Sequence, residues 1–352
     1  MKKTSLLRSL VLSLVMLTTL PAFAAVKKEF NVCWTIYAGW MPWGTISNNK
    51  IIDKWADKYG IKINVVQLND YIESINQYTA GQFDGCTMTN MDALTIPAAG
   101  GVDTTALILG SYSEGNDGVV MKGEGKAVKD LKGQKIYLPE LSVSHYLLVR
   151  SLEKAGLAEK DVTVVNTSDA DIVSAFTTPN VQAAVAWNPQ LSVIKATPKT
   201  SEVFSSAQVP GEIIDMMVVN TQTLKDNPAL GKALTGAWYE IMAQMKAQNQ
   251  EALSAMAAAA GTDLAGYQAQ LKTTHLFYTP ADDLAFTTSA DLPKTMQRVA
   301  QFSFEKGLLG DGAQSADFIG MAFPGNVTLG DVGSVKLRFD DSFVKMAADG
   351  KL

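Results

Sequence analysis

The amino-acid sequence predicts an α/β protein of two lobes, each built on a doubly wound sheet. Short apolar runs alternate with amphipathic helical stretches over the first two thirds of the chain. Two crossings, 110–118 and 205–212, interrupt that alternation and separate a second, smaller series of strands and helices from the first. Residues 25–352 are long enough to bury two separate cores.

The elements follow in order. Phe30, Val32, Trp34 and Ile36 read as a first strand, broken by Gly39, Pro42 and Gly44 before a helical pattern begins near Asn48. A short helix over 51–59 closes at Gly60, and Ile61–Val66 is a strand. Asp70 is placed to cap a helix reaching Tyr78. Phe83–Thr89 is the next strand, Asn90 opens a helix, and Thr105–Leu109 is a fourth strand. Beyond the first crossing come Val119–Met121, Lys135–Leu138, a helix over 142–155, Val162–Val165, a helix over 170–176 and Ala183–Ala186. The second crossing leads into Ile213–Val219. The chain then becomes almost wholly helical, including 227–246 and the alanine-rich 252–260, where Met242, Met245 and Met256 read as core filler. The stretch from Phe318 onward is mixed.

Met1-Lys2-Lys3, Arg8, an apolar run over 10–20 and Pro21-Ala22-Phe23-Ala24-Ala25 read as a secretory leader cleaved after Ala24. That run is too short to span a membrane. The leader carries three of the 30 basic residues and none of the 35 acidic ones, leaving a net charge of −8 beyond it. Such a balance argues against nucleic acid as a partner. The expected compartment is a periplasm, where Cys33 and Cys86 can pair if their geometry allows; buried strand cysteines are more often plain small apolar residues.

Several motifs together resemble the solute-binding proteins of nitrate, sulfonate and taurine ABC importers: the leader, the twice-crossed lobes, Asp130-Leu131-Lys132-Gly133-Gln134-Lys135-Ile136 and Lys154-Ala155-Gly156-Leu157. More narrowly, Trp34–Tyr37 with Gly39–Trp43, Thr87–Leu94, Glu140–Tyr146 and Ala186–Pro189 resemble the branch linked to urea carboxylase gene regions. The resemblance implies a type II periplasmic binding protein fold, doubly wound sheets joined by a two-stranded hinge. It places 25–112 and 214–352 in the first lobe and 113–213 in the second. It also implies a small-molecule ligand, an ABC permease in the inner membrane as partner, a monomer, and neither cofactor nor metal.

Four groups of side chains are expected at the cleft. Trp34, Tyr37, Trp40 and Trp43 offer flat faces that stack a planar ligand and attract a cation. Thr89, Asn90 and Asp92 follow a strand, although Thr89 and Asp92 also fit a helix-capping arrangement. Glu140 precedes the helix cap offered by Ser142 or Ser144, with His145 beyond, and is placed to meet a cation. Trp187 and Asn188 end a strand in the second lobe, while Glu212 and Asp215 lie on the returning crossing. These loops hold four acids and no lysine or arginine, which favours guanidinium, then urea, over the oxyanions of the wider family. An enzyme of the pyrimidine-forming kind on the same architecture is the rival. Its cysteine-rich signature is absent, as are a phosphate loop, a zinc helix and a nucleophile elbow.

Overall fold

A computed structural model describes residues 27–352; the leader read at 1–24 lies outside the described residues. In the first lobe, strands β1 (Glu29–Thr35), β2 (Lys62–Leu68), β3 (Gly85–Thr89) and β4 (Thr104–Ser113) are laid down before the chain leaves for the second. There it forms β5 (Asp117–Lys122), β6 (Lys135–Leu138), β7 (Thr163–Asn166), β8 (Ala183–Trp187) and β9 (Thr200–Ser205). It returns through β10 (Ile214–Asn220) and adds β11 (Thr274–Leu276), β12 (Gly320–Phe323), β13 (Val327–Leu329) and β14 (Val335–Phe339). The larger sheet runs β13-β12-β14-β4-β10-β3-β1-β2, with β11 also on β4; the smaller runs β7-β6-β8-β5-β9.

Both sheets are mixed rather than purely parallel. β10 is antiparallel to β3 and β4, and β5 is antiparallel to β8 and β9. The reason is topological: these are the strands that carry the chain between sheets, so each enters its sheet without a crossover helix. The two crossings are tied to each other where Ser113 N–H donates to the Ile213 carbonyl at 2.9 Å. The strands of the last third, β11 to β14, lie where the sequence reads as helical or mixed, and β13 is mostly exposed, with too little buried apolar surface to mark it.

Local chemistry explains the elements that frame the cleft. Asp70 accepts from Glu73 N–H at 2.8 Å and caps Tyr71–Thr79. Ser142 accepts from Ser144 N–H at 3.1 Å and caps Val143–Lys154. The aromatic stretch after β1 corrects the expected loop: Met41–Asn48 is already a helix, because Pro42 falls in its first turn, where no intrahelical donor is lost. Trp43 therefore turns inward and stacks on Trp238 of the helix Pro228–Lys246, with ring centroids 5.1 Å apart. Gly44 makes room for Trp34, since a Cβ there would sit 2.8 Å from the indole. Cys33 and Cys86, register partners on β1 and β3, form a disulfide with Cα atoms 4.4 Å apart.

Candidate ligand-binding site

A small cavity of about 10 Å³ with buried walls lies between the two sheets. Tyr37, Trp40, Tyr71 and Thr89 wall it from the first lobe, Val143 and Trp187 from the second, and Asp117, Ile213 and Asp215 from the crossings. The rings form a chain around it. Tyr37 meets Trp40 edge-on at 5.0 Å, Trp40 lies 5.8 Å from Tyr71, and Tyr71 meets Trp187 edge-on at 5.4 Å. The second lobe is fastened over the first by Trp187 Nε1, which donates to the Ile36 carbonyl at 3.2 Å, and by Ala38 N–H, which donates to the Asn188 carbonyl at 3.0 Å. On another side Tyr71 N–H donates to Asp169 Oδ1 at 3.0 Å.

Two carboxylates face this space, and each is only 2% exposed. Asp215 Oδ2 accepts from Ser111 Oγ at 2.6 Å and from Tyr37 Oη at 2.9 Å. Asp117 Oδ2 accepts from Ser113 Oγ at 2.6 Å. Among the described residues neither Oδ1 has a hydrogen-bond partner. Burial drives Asp215 up to about 8, with Asp117 adding to the rise against the hydroxyl bonds. Burial likewise drives Asp117 up to about 7, with Asp92 contributing. The Tyr37 hydroxyl is held well above the usual phenol range by burial and by Asp215, so it remains a donor. Its ring reaches Asp215 because Gly39 has no side chain: a Cβ there would lie 2.6 Å from Tyr37 Cε1.

Asp92 stands behind the wall. Its Oδ2 accepts from Tyr71 Oη at 2.6 Å and from Thr89 Oγ1 at 2.8 Å, and the Tyr71 hydroxyl in turn accepts from Thr89 N–H. Burial raises it to about 6. Its side chain thus orients two cavity residues, consistent with the capping geometry at the start of Asn90–Ala93.

Several expected site residues lie elsewhere. Trp34 and Trp43 pack in the core. Asn90 brackets the returning crossing, donating to the Glu212 carbonyl at 3.1 Å and accepting from Ile214 N–H at 3.0 Å. Glu140 is exposed, and only its backbone N–H is engaged, by Asn166 Oδ1. Its strand-to-helix turn points it away, and Ser142 and His145 close that turn through the Pro139 carbonyl and Leu141 N–H. Ser144 is buried with no partner for its hydroxyl. Asn188 Oδ1 accepts from Ser192, which makes it a bracket for the following helix. Glu212 is neutralised: Arg150 donates to it at 2.9 and 3.1 Å, Tyr146 at 2.6 Å, and Arg298 approaches to 3.9 Å. The expectation of loops without a basic partner therefore fails at Glu212, because Arg150 lies one helical turn beyond the motif read at 140–146. Sequence reasoning missed Tyr71 and Asp117. Asp117 lies inside the crossing read at 110–118, and its acidity next to a hinge was the available signal.

The NMT1/THI5-like family profile matches residues 55–252. Among curated relatives, a Brucella abortus protein described as a binding protein is 36% identical over 103 residues, 29% of this chain and 31% of that protein. The taurine-binding periplasmic protein of Escherichia coli K12 is 24% identical over 144 residues, 40% of this chain and 44% of that protein. The chain thus matches less than half the length of these relatives. Among solved structures, the alkanesulfonate-binding protein of Xanthomonas axonopodis pv. citri bound to MOPS aligns with a TM-score of 0.67 at 17% identity, covering 82% of this chain and 96% of that one. With its two sheets, twice-crossing chain and small buried cavity, the protein has the two-lobe periplasmic binding protein fold and belongs to the NMT1/THI5-like family.

Proposed function

We propose that this protein is the periplasmic solute-binding component of an ABC importer and that it captures a small planar nitrogenous ligand, the guanidinium cation in the first place and neutral urea in the second. Capture involves no chemistry: ligand enters between the lobes, the crossings at 110–118 and 205–212 hinge, and the closed form docks on a permease. One observation carries the choice of ligand. Asp117 and Asp215 each present an unpartnered carboxylate oxygen to a cavity walled by aromatic rings, while Arg150 is bonded to Glu212 outside it. Guanidinium N–H groups suit such oxygens, and the ring faces stabilise the charge that remains. A sulfonate or nitrate would instead place its oxygens against two carboxylates.

Similarity to a taurine-binding and an alkanesulfonate-binding protein favours a second reading, a sulfonate or taurine ligand. Calorimetric titration of unfolded and refolded, ligand-free protein with guanidinium, urea, taurine and nitrate separates the two. Tight guanidinium binding with the ligand recovered unchanged is the expected result. Preference for taurine or nitrate overturns the cationic reading, and conversion of the ligand overturns the non-enzymatic one.

A further inference from the structure

We propose that the cavity exchanges one proton for one ligand cation: Asp117 and Asp215 are both protonated when the site is empty and give up one proton between them when the cation enters. The proposal rests on the cationic-ligand reading above. It begins from the placement of two buried carboxylates in one small cavity. Asp117 heads β5 of the smaller sheet and Asp215 lies at the start of β10 in the larger one, so the two crossings bring them together.

Among the described residues, the groups that bond them and those that line the cavity carry no positive charge. Asp215 meets Tyr37 from the turn after β1 and Ser111 from β4. Asp117 meets Ser113 from the end of β4, and its own N–H points at the Ser113 and Ser206 hydroxyls at 3.2 and 3.3 Å. On the β3 side the nearest charge is Asp92, bonded to Tyr71 and Thr89, which adds negative potential. On the second-lobe side stand Val143 and Trp187, which carry no charge. Glu212 lies three residues before Asp215 and is already matched by Arg150. Two unpaired carboxylates in such surroundings do not both ionise in the empty site. Their raised pKa values, about 7 and about 8, agree with that geometry.

A monovalent cation seated in the cavity beside the two carboxyl groups removes the obstacle. The proton passes to solvent as the cation arrives, so one positive charge leaves for each that enters and the exchange is electroneutral. Because the ligand binds the pair with one proton removed, affinity rises with pH, by up to about tenfold per pH unit below the pair's titration range, and flattens within it.

The experiment is calorimetric titration with guanidinium chloride at micromolar to millimolar concentration and pH 6.5, in buffers of different ionisation enthalpy, repeated from pH 5.5 to 8.5. Release of about one proton per guanidinium bound, with affinity climbing as stated, is the expected result. The double Asp117→Asn, Asp215→Asn variant, with its fold checked by near-UV circular dichroism, is expected to bind more weakly and to release well under one proton. Guanidinium binding with no proton release and a flat affinity from pH 6 to 8 overturns this proposal and leaves the cationic reading intact. Absence of guanidinium binding at every pH overturns both.

Discussion

The Tyr37 hydroxyl donates to Asp215 Oδ2 at 2.9 Å, joining the aromatic turn after the first strand to the strand on which the chain returns from the second lobe. The same oxygen accepts from Ser111, so Asp215 is held through one oxygen and offers the other. Removing the hydroxyl tests whether that orientation matters to the ligand. Tyr37→Phe is expected to weaken guanidinium binding about tenfold, a loss typical of one hydrogen bond to a charged group, with the melting temperature nearly unchanged. Calorimetry and a thermal melt on the same sample check both halves.

Trp43 and Trp187 separate core from cavity. Trp43→Ala deletes a ring stacked on Trp238 and should destabilise the protein by roughly 3–5 kcal/mol in denaturant titration. Trp187→Ala deletes a cavity wall and an inter-lobe hydrogen bond, and is expected to cost chiefly affinity. A collapse in stability for Trp187→Ala would assign that ring to the core.

Glu140 gives the converse comparison with Asp215. Since Glu140 is exposed and Asp215 lines the cavity, Glu140→Gln should change guanidinium affinity less than about twofold, whereas Asp215→Asn should lose at least about a hundredfold. Equal losses in the two variants would show that the loop at 140 reaches the ligand.

Stability of the empty protein should depend on pH in a direction set by the buried acids. Asp215 is raised to about 8 and Asp117 to about 7, above their unfolded values, so folding is favoured while both stay protonated. Their contribution is complete below about pH 4 and is lost as pH rises through 7 and 8. Melting temperature of ligand-free protein should therefore fall between pH 5 and 8.5 on this account, and the double Asp117→Asn, Asp215→Asn variant should flatten the fall. An unchanged slope in the double variant would place the linkage elsewhere, with Asp283, also raised to about 7, the next to test.

The Cys33–Cys86 bridge closes a loop with a sequence separation of 53. Replacing both cysteines by alanine should lower stability by about 2–4 kcal/mol while leaving guanidinium affinity within a fewfold, because the bridge lies within β1 and β3 and does not line the cavity. Chemical denaturation and calorimetry provide the check.

What the sequence by itself determined is the part of the structure governed by near neighbours. Asp70, Thr89 and Ser142 were legible as caps because the groups they bond lie two or three residues away. The strand and helix order of the first two thirds was legible from apolar periodicity, and the aromatic turn stood out by composition. Tertiary structure alone decided which members of that turn reach the cavity: Pro42 begins a helix, and its geometry sends Trp43 into the core while Trp40 stays at the wall. It alone paired Cys33 with Cys86, set Arg150 against Glu212, and left Glu140 in solvent. Asp117 and Asp215 are 98 positions apart, and nothing near either one announces the other. They share a cavity because two crossings of a folded chain meet there, a relation set by strand order and burial rather than by any local preference.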